Sequence, residues 1–237
     1  MFDTAFRLAA SPLLLAQALR VRRIAQSLPE ADGPREGVLG SGPALRLAII
    51  GDSSAAGVGV AQQSQALAGQ LTSALATDYT VTWHLDAKAG ATTQSTLDRL
   101  RDAAAHPLDI VVVALGVNDV TRLIPASLWL RQQRRLLARL SDLYDPQLIY
   151  ISGMPPLGTF PLLPEPLRWT LGRHAARLER RRVPMLEKDA RLRHIPFDLP
   201  LETHLMASDG FHPSAALYAL WGAGLAERIK ADLNRSA

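Results

Sequence analysis

Leu45-Arg46-Leu47-Ala48-Ile49-Ile50-Gly51-Asp52-Ser53-Ser54-Ala55-Ala56-Gly57 runs without a break from an apolar segment into a small-residue turn that carries two serines. A short apolar run ending in such a turn reads as a strand buried in a sheet. The same pattern recurs downstream. Thr80 to Leu85 reads as a second strand, and the valine-rich run from Ile110 to Leu115 has the composition of a parallel strand covered on both faces. Leu148 to Ser152 is a fourth strand, and Pro184 to Leu186 a short fifth candidate. Helical spacing fills the intervals: about Gln62 to Ala76, Gln94 to Ala105, Ser127 to Tyr144 and Leu167 to Arg182, with a closing helix from Ser214 to Leu233.

That alternation predicts an α/β domain over residues 44–237, a three-layer αβα sandwich around a flavodoxin-like open parallel sheet of about five strands. Crossovers between parallel strands are right-handed, and ligands then belong at the carboxyl ends of the strands. A chain of 237 residues, 48% hydrophobic, can fill one core of this kind. With no cysteine, disulfides, thiolate metal sites and cysteine nucleophiles are excluded. The net charge is +4, but the arginines cluster in helical stretches, Arg131 to Arg139 and Arg173 to Arg182, and read as solvated helix faces. Only 5% of residues are aromatic and no basic recognition module stands out, so no nucleic-acid partner is expected.

Residues 1–26 form a separate apolar or amphipathic helix by pattern, joined to the domain by a Gly-, Pro- and charge-rich linker over residues 27–43. Leu8 to Leu19 looks at first like a leader, but the positive cluster Arg20, Arg22, Arg23 follows the apolar run instead of preceding it. The run is also short of the ~20 residues that span a bilayer, and Pro12 interrupts it. Packing on the α/β domain or a partner is the favoured reading, and peripheral contact with a membrane the other. The expected location is cytoplasmic, membrane-associated if the helix meets lipid, with secretion disfavoured; the oligomeric state is left open.

Two motifs are excluded at the serine turn: it lacks the Lys-Ser/Thr of a phosphate loop, and Gly51-Asp52-Ser53-Ser54-Ala55 is not a G-x-S-x-G elbow. Alone, Gly-Asp-Ser after a strand is an ordinary turn or helix cap. Three further segments fall on the same rim. Ala89-Gly90-Ala91-Thr92 follows the second strand, Gly116-Val117-Asn118-Asp119 the third, and Asp209-Gly210-Phe211-His212-Pro213 precedes the last helix. With these four blocks in this order, the sequence from about Leu45 to Leu233 resembles the SGNH (GDSL-like) hydrolases. The resemblance implies a carboxylic ester hydrolase with Ser53 as nucleophile, Asp209 and His212 as acid and base, and the Ser53 amide, Gly90 and Asn118 as oxyanion-hole donors.

Elementary chemistry supports those roles. A serine hydroxyl needs a base to take its proton, and of six histidines only His212 combines a carboxylate three residues earlier with a position just before a helix. Such an aspartate fixes the imidazole tautomer and stabilises the imidazolium. Asn118 offers two uncharged donors, and Gly90 an amide unobstructed by a side chain. Asp52 and Asp119 read as structural, and Ser54 as a decoy nucleophile.

Substrate choice rests on loops, and the stretch from Gly153 to Trp169 with Leu157, Phe160, Leu162 and Leu163 is the candidate acyl pocket or lid, or else a packed connection. The expected partner is a small-molecule ester, with acyl esters of the esterase, lipase or lysophospholipase kind as the expected substrates. An acyltransferase or carbohydrate O-acetylesterase on the same machinery, and a non-catalytic flavodoxin-like ligand-binding module, are the alternatives. The chemistry requires neither metal nor organic cofactor.

Overall fold

The computed structural model describes residues 10–24 and 28–236. Six strands form one sheet: β1 Glu36–Leu39, β2 Ala44–Gly51, β3 Thr80–Ala87, β4 Ile110–Ala114, β5 Leu148–Ser152 and β6 Leu192–Ile195, in the spatial order β1-β3-β2-β4-β5-β6. All neighbours are parallel except β1, which pairs antiparallel with β3. Without β1 the order is the flavodoxin type, whose direction of winding reverses between β2 and β4. A crevice opens at such a reversal, beyond the carboxyl ends of the two strands.

The helices are α1 Ser11–Ile24, α2 Leu67–Leu75, α3 Thr93–Arg99, α4 Val117–Thr121, α5 Ala126–Tyr144, α6 Leu167–Leu186 and α7 Ala215–Ser236. Successive side chains of a strand point to opposite faces, which divides the core in two. Leu45, Leu47 and Ile49 of β2 pack with Ile110 and Val112 under α2 and α7. Ala48 and Ile50 pack with Val111 and Val113 under α5. Each such large aliphatic side chain contributes roughly 1.5–3 kcal/mol when fully buried. On α5 the buried positions Trp129, Gln132, Gln133, Leu136, Leu137, Leu140 and Leu143 recur at three- and four-residue spacing, one face of a helix.

Three expectations are corrected. Residues 27–43 are not a bare linker: Glu36–Leu39 makes the antiparallel edge strand, and Asp32 forms a bridge with Gln62. With this strand the sheet has six strands among the described residues, within the expected fold and one beyond the expected count of about five. Pro184 to Leu186 is the last turn of α6, where Leu178, Arg182 and Leu186 continue one buried helical row; the strand lies later, at Leu192–Ile195, where Arg193 and His194 hide its alternation. The helix expected over Gln94 to Ala105 stops at Arg99 because Arg139 of α5 donates to the carbonyls of Leu100 and Arg101 at 3.1 and 2.8 Å and fixes a turn there.

Of the helix expected over residues 1–26, Ser11–Ile24 is seen as α1, and residues 1–9 and 25–26 lie outside the described residues. Its Leu14 is buried, and Gln17 hydrogen-bonds both the Glu165 carbonyl and the Leu167 amide at the start of α6. Leu13, Leu15 and Leu19 stay exposed. Among the described residues, no helix is long and apolar enough to cross a membrane.

Candidate active site

Ser53 lies two residues beyond β2, at the crevice between β2 and β4. The turn is tied to the sheet by the Asp52 amide, which donates to the Ala114 carbonyl at 3.1 Å, and closes on itself through Ala56 N–H to Asp52 and Val58 N–H to Ser53. The Ser53 hydroxyl stands 2.9 Å from Nε2 of His212, and Nδ1 of that ring stands 2.5 Å from Asp209 Oδ2. The other Asp209 oxygen accepts the backbone N–H groups of Phe211 and His212, both at 2.9 Å. Burial alone would raise the Asp209 carboxyl; the His212 ring and these two amides outweigh it and hold the group below its ordinary value. A carboxylate with both oxygens engaged orients the ring, leaving Nε2 to the serine.

This loop is set by packing as well as by its own turn. Met206 and Pro213 form a bridge, and Tyr218 of α7 donates its hydroxyl to the Val58 carbonyl at 2.8 Å. The helix that follows the histidine is thereby fastened to the loop that follows the serine, which holds two chain segments about 160 residues apart in mutual register. Ser54 is committed elsewhere, its amide and hydroxyl both donating to Asp52 Oδ1 at 3.1 and 3.0 Å. Asp52 itself is buried, and desolvation pushes its carboxyl up to about 6 against the opposing pull of the Ser54 hydrogen bonds and the His212 charge.

The other two blocks reach the same rim. Gly116 turns the chain out of β4 at φ +138°, a conformation that side chains rarely adopt, and α4 then presents Asn118. The Asn118 amide donates to the Ala91 carbonyl at 3.0 Å and makes a long 3.5 Å contact with Asp52 Oδ2. One amide hydrogen is thus firmly placed and the other loosely held. Asp119, next along, accepts the amide and hydroxyl of Thr93 and locks the start of α3 to α4. Gly90 is exposed, at φ +77°, in a turn closed by the Ala91 N–H to Lys88 carbonyl bond.

Two braces on that turn were not legible in the sequence. Glu30 Oε1 accepts the Ala89 amide at 2.6 Å, and Arg122 donates to the Gly90 carbonyl at 3.1 Å. Glu30 belongs to the stretch read as a linker, and only folding brings it here.

An apolar cavity opens beside Ser53 and His212, lined among others by Val117, Met154, Phe160, Phe197, Met206 and Trp221. Of the four residues expected to form the acyl pocket, Phe160 alone lines it. Leu157 and Leu163 are buried in the cluster that seats α6, and Leu162, half-buried, lines no part of it. Most of the Gly153 to Trp169 stretch is a packed connection, with Phe160 edge-to-face on Phe211 at 5.2 Å. The remaining walls come from the ends of β4, β5 and β6 and from α7; Phe197 was out of reach of sequence reading because the strand before it, β6, carries no clear apolar pattern. Among the described residues no group of three or more His, Asp or Glu side chains is arranged to hold a metal ion.

A hydroxyl, an imidazole and a carboxylate bonded in series at the reversal of a flavodoxin-type sheet put this chain in the class of serine hydrolases. The sequence matches the GDSL-like Lipase/Acylhydrolase family over residues 49–220, and the chain belongs to that family. It is a serine ester hydrolase acting on carboxylic esters. Solved structures share its fold. The psychrotrophic esterase EstA from Pseudoalteromonas sp., in a form inhibited by monoethylphosphonate, is 20% identical over 80% of this chain and 98% of its own, with a TM-score of 0.63. The carbohydrate acetylesterase Est24 from Sinorhizobium meliloti is 15% identical over 79% of this chain and 99% of its own, TM-score 0.57. A lipase from a goat rumen metagenome is 17% identical over 76% and 95%, TM-score 0.59. No curated protein matches the sequence.

Proposed function

We infer that the enzyme hydrolyses esters of short acyl chains through an acyl-enzyme on Ser53. The observation that carries this reading is the 2.9 Å contact between Ser53 Oγ and His212 Nε2 at the edge of an apolar cavity. As Ser53 Oγ attacks the ester carbonyl carbon, its proton passes to His212 Nε2, and the carbonyl oxygen becomes an oxyanion. The donors assigned to it are the amides of Ser53 and Gly90 and the loosely held hydrogen of Asn118. Collapse breaks the bond to the alkoxy oxygen, which leaves with the proton from His212. Water then attacks the acyl-enzyme, gives its proton to the same nitrogen, and releases the acid as Ser53 recovers its hydrogen.

The cavity favours a small acyl group. Its volume is about 60 Å³, small beside the roughly 300–1,000 Å³ of pockets that take drug-sized ligands. An acetyl to butyryl chain fits that space, and one protein of the same fold is a carbohydrate acetylesterase. The test is a series of p-nitrophenyl esters from acetate to octanoate with the wild type, Ser53→Ala and Asn118→Ala. Acetate or butyrate should be the best substrate; Ser53→Ala should lose at least ~10⁴-fold in kcat and Asn118→Ala about 10²- to 10³-fold. Retention of a tenth of the activity by Ser53→Ala would overturn the mechanism.

A second proposal concerns α1. Its buried side holds Leu14 and Gln17, while Leu15 and Leu19 on the opposite side stand exposed beside Arg23. An outward apolar edge flanked by basic residues suits peripheral contact with an anionic membrane. Leu15→Glu with Leu19→Glu should then abolish co-sedimentation with anionic vesicles; unchanged co-sedimentation removes the proposal.

A further inference from the structure

Adjoining the cavity at Ser53 is a second one of about 100 Å³, lined by Ile195, Leu199, Leu220 and Leu225 and also by the charged Asp198 and Arg228. The two cavities have Ser152, Gly153, Phe197 and Trp221 in common. Side chains that line both spaces stand between them. Here the partition is an aromatic pair: Phe197, in the loop that leaves β6, meets Trp221 of α7 edge-to-face, with ring centroids 6.2 Å apart and planes at 69°. Trp221 is in turn stacked on Tyr218 at 6.4 Å and 7°, and the Tyr218 hydroxyl is pinned to the Val58 carbonyl. The wall therefore has a fixed position, set from the nucleophile's own loop.

We propose that the Phe197–Trp221 pair is the chain-length gauge of this enzyme: it closes the floor of the acyl pocket, and the space behind it is a reserve chamber that admits the distal part of a longer acyl chain only when the wall is removed. This rests on the acyl-enzyme reading above and assigns its specificity residues. The physical argument is one of volume and surface. The first cavity is small, about 60 Å³, so the carbons of a longer chain must stop at the two rings or turn back to water. Each methylene that gains an apolar site in place of water raises the preference for that substrate roughly fourfold, and the apolar walls of the second cavity provide such sites once they are reached.

Gly224 allows the chamber to be tested apart from the pocket. It lines the second cavity and not the first, it lies inside α7, and a Cβ added there meets no atom within 4 Å. Gly224→Leu therefore fills the reserve space without crowding the helix.

The experiment measures kcat/KM for p-nitrophenyl octanoate relative to p-nitrophenyl acetate. Trp221→Ala should raise that ratio at least ~10-fold over wild type, Phe197→Ala should move it the same way, and adding Gly224→Leu to Trp221→Ala should return it to within about threefold of wild type. Gly224→Leu by itself should leave the wild-type ratio in place. Phe197→Ala, a change in a half-buried loop residue, carries the test if Trp221→Ala does not fold. A turnover-free arm measures calorimetric binding of octanoate to Ser53→Ala and to Ser53→Ala with Trp221→Ala or Phe197→Ala, expecting at least ~10-fold tighter binding once the wall is opened. Unchanged ratios and unchanged octanoate binding in the opened variants overturn the gauge, as does a long-chain gain that Gly224→Leu fails to reverse. Tighter octanoate binding in a protein that hydrolyses no ester would instead sink the acyl-enzyme reading and leave the two-chamber geometry standing.

Discussion

Two imidazole–carboxylate pairs in this molecule have the same separation. His212 Nδ1 lies 2.5 Å from Asp209, and His194 Nε2 lies 2.5 Å from Glu179. The first pair sits on the rim of the crevice and has the Ser53 hydroxyl on the far nitrogen of its ring. The second joins α6 to β6, and its carboxylate is shared with Arg182, a wholly buried cation that also donates to the Ser152 carbonyl and lies over the Trp129 ring. Glu179 answers to that cation: burial would raise its carboxyl, but His194 and Arg182 together hold it below its ordinary value. An imidazole–carboxylate pair is thus no mark of catalysis by itself. What the ring's other side faces, and what else the carboxylate must neutralise, decides whether the pair orients a proton acceptor or anchors a buried charge.

Changing the two carboxylates to amides should break the pairs in opposite ways. Asp209→Asn should lower kcat by about 10⁴-fold while the protein stays folded, because the ring loses the acceptor that fixes its tautomer; steady-state kinetics beside a thermal unfolding scan read both. Glu179→Gln should leave kcat/KM within about threefold and cost about 3–5 kcal/mol of stability, because Arg182 keeps its charge in the interior without a counter-charge. Urea unfolding measures that loss, and retention of a tenth of wild-type turnover by Asp209→Asn would erase the distinction.

Asp52 sharpens the contrast, since it is a buried carboxylate on the catalytic side whose desolvation outweighs the pull of its hydrogen bonds and of His212. Its native value of about 6 lies above the ~3.9 of an unfolded aspartate. Between pH 4 and pH 6 the folded chain therefore binds the proton that the unfolded chain has released, and stability falls as the pH rises through that window, by about 3 kcal/mol in all, then levels off. Asp52→Asn, a neutral isostere, should lack this fall, so its stability relative to wild type should climb between pH 4 and pH 7 in urea titrations. A difference that is flat with pH would show that folding leaves the Asp52 carboxyl at its unfolded value.

The smallest effect belongs to the brace on the Gly90 turn. Glu30→Ala should lower kcat about three- to tenfold with less change in KM, the worth of roughly one ordinary hydrogen bond at this exposed turn. Glu30→Gln, which keeps an oxygen for the Ala89 amide, should recover most of the loss.

The strand from Ala44 to Gly51, the valine-rich Ile110–Ala114 and the four site blocks were readable because their information is local. A buried parallel strand is apolar along its length, and a carboxylate three residues before a histidine can meet it through a single turn. β1 and β6 escaped for the opposite reason. Glu36-Gly37-Val38-Leu39 has little apolar pattern and exists as a strand because β3 offers it hydrogen bonds; Leu192–Ile195 gains its register from β5. The acyl-pocket residues divided along the same line, with Leu157, Leu162 and Leu163 apolar in composition but only Phe160 turned toward the cavity.

The sequence by itself determined the class of fold, the family, and which serine, histidine and aspartate come together, because alternating burial and short-range spacing are written into consecutive residues. Only the tertiary structure decided what surrounds them: the Glu30 and Arg122 braces, the aromatic wall of Phe197 and Trp221, and the anchoring of Tyr218 on Val58. Each of these joins residues far apart in the chain, and a contact of that kind depends on how layers pack, a property of the folded volume that no local pattern contains.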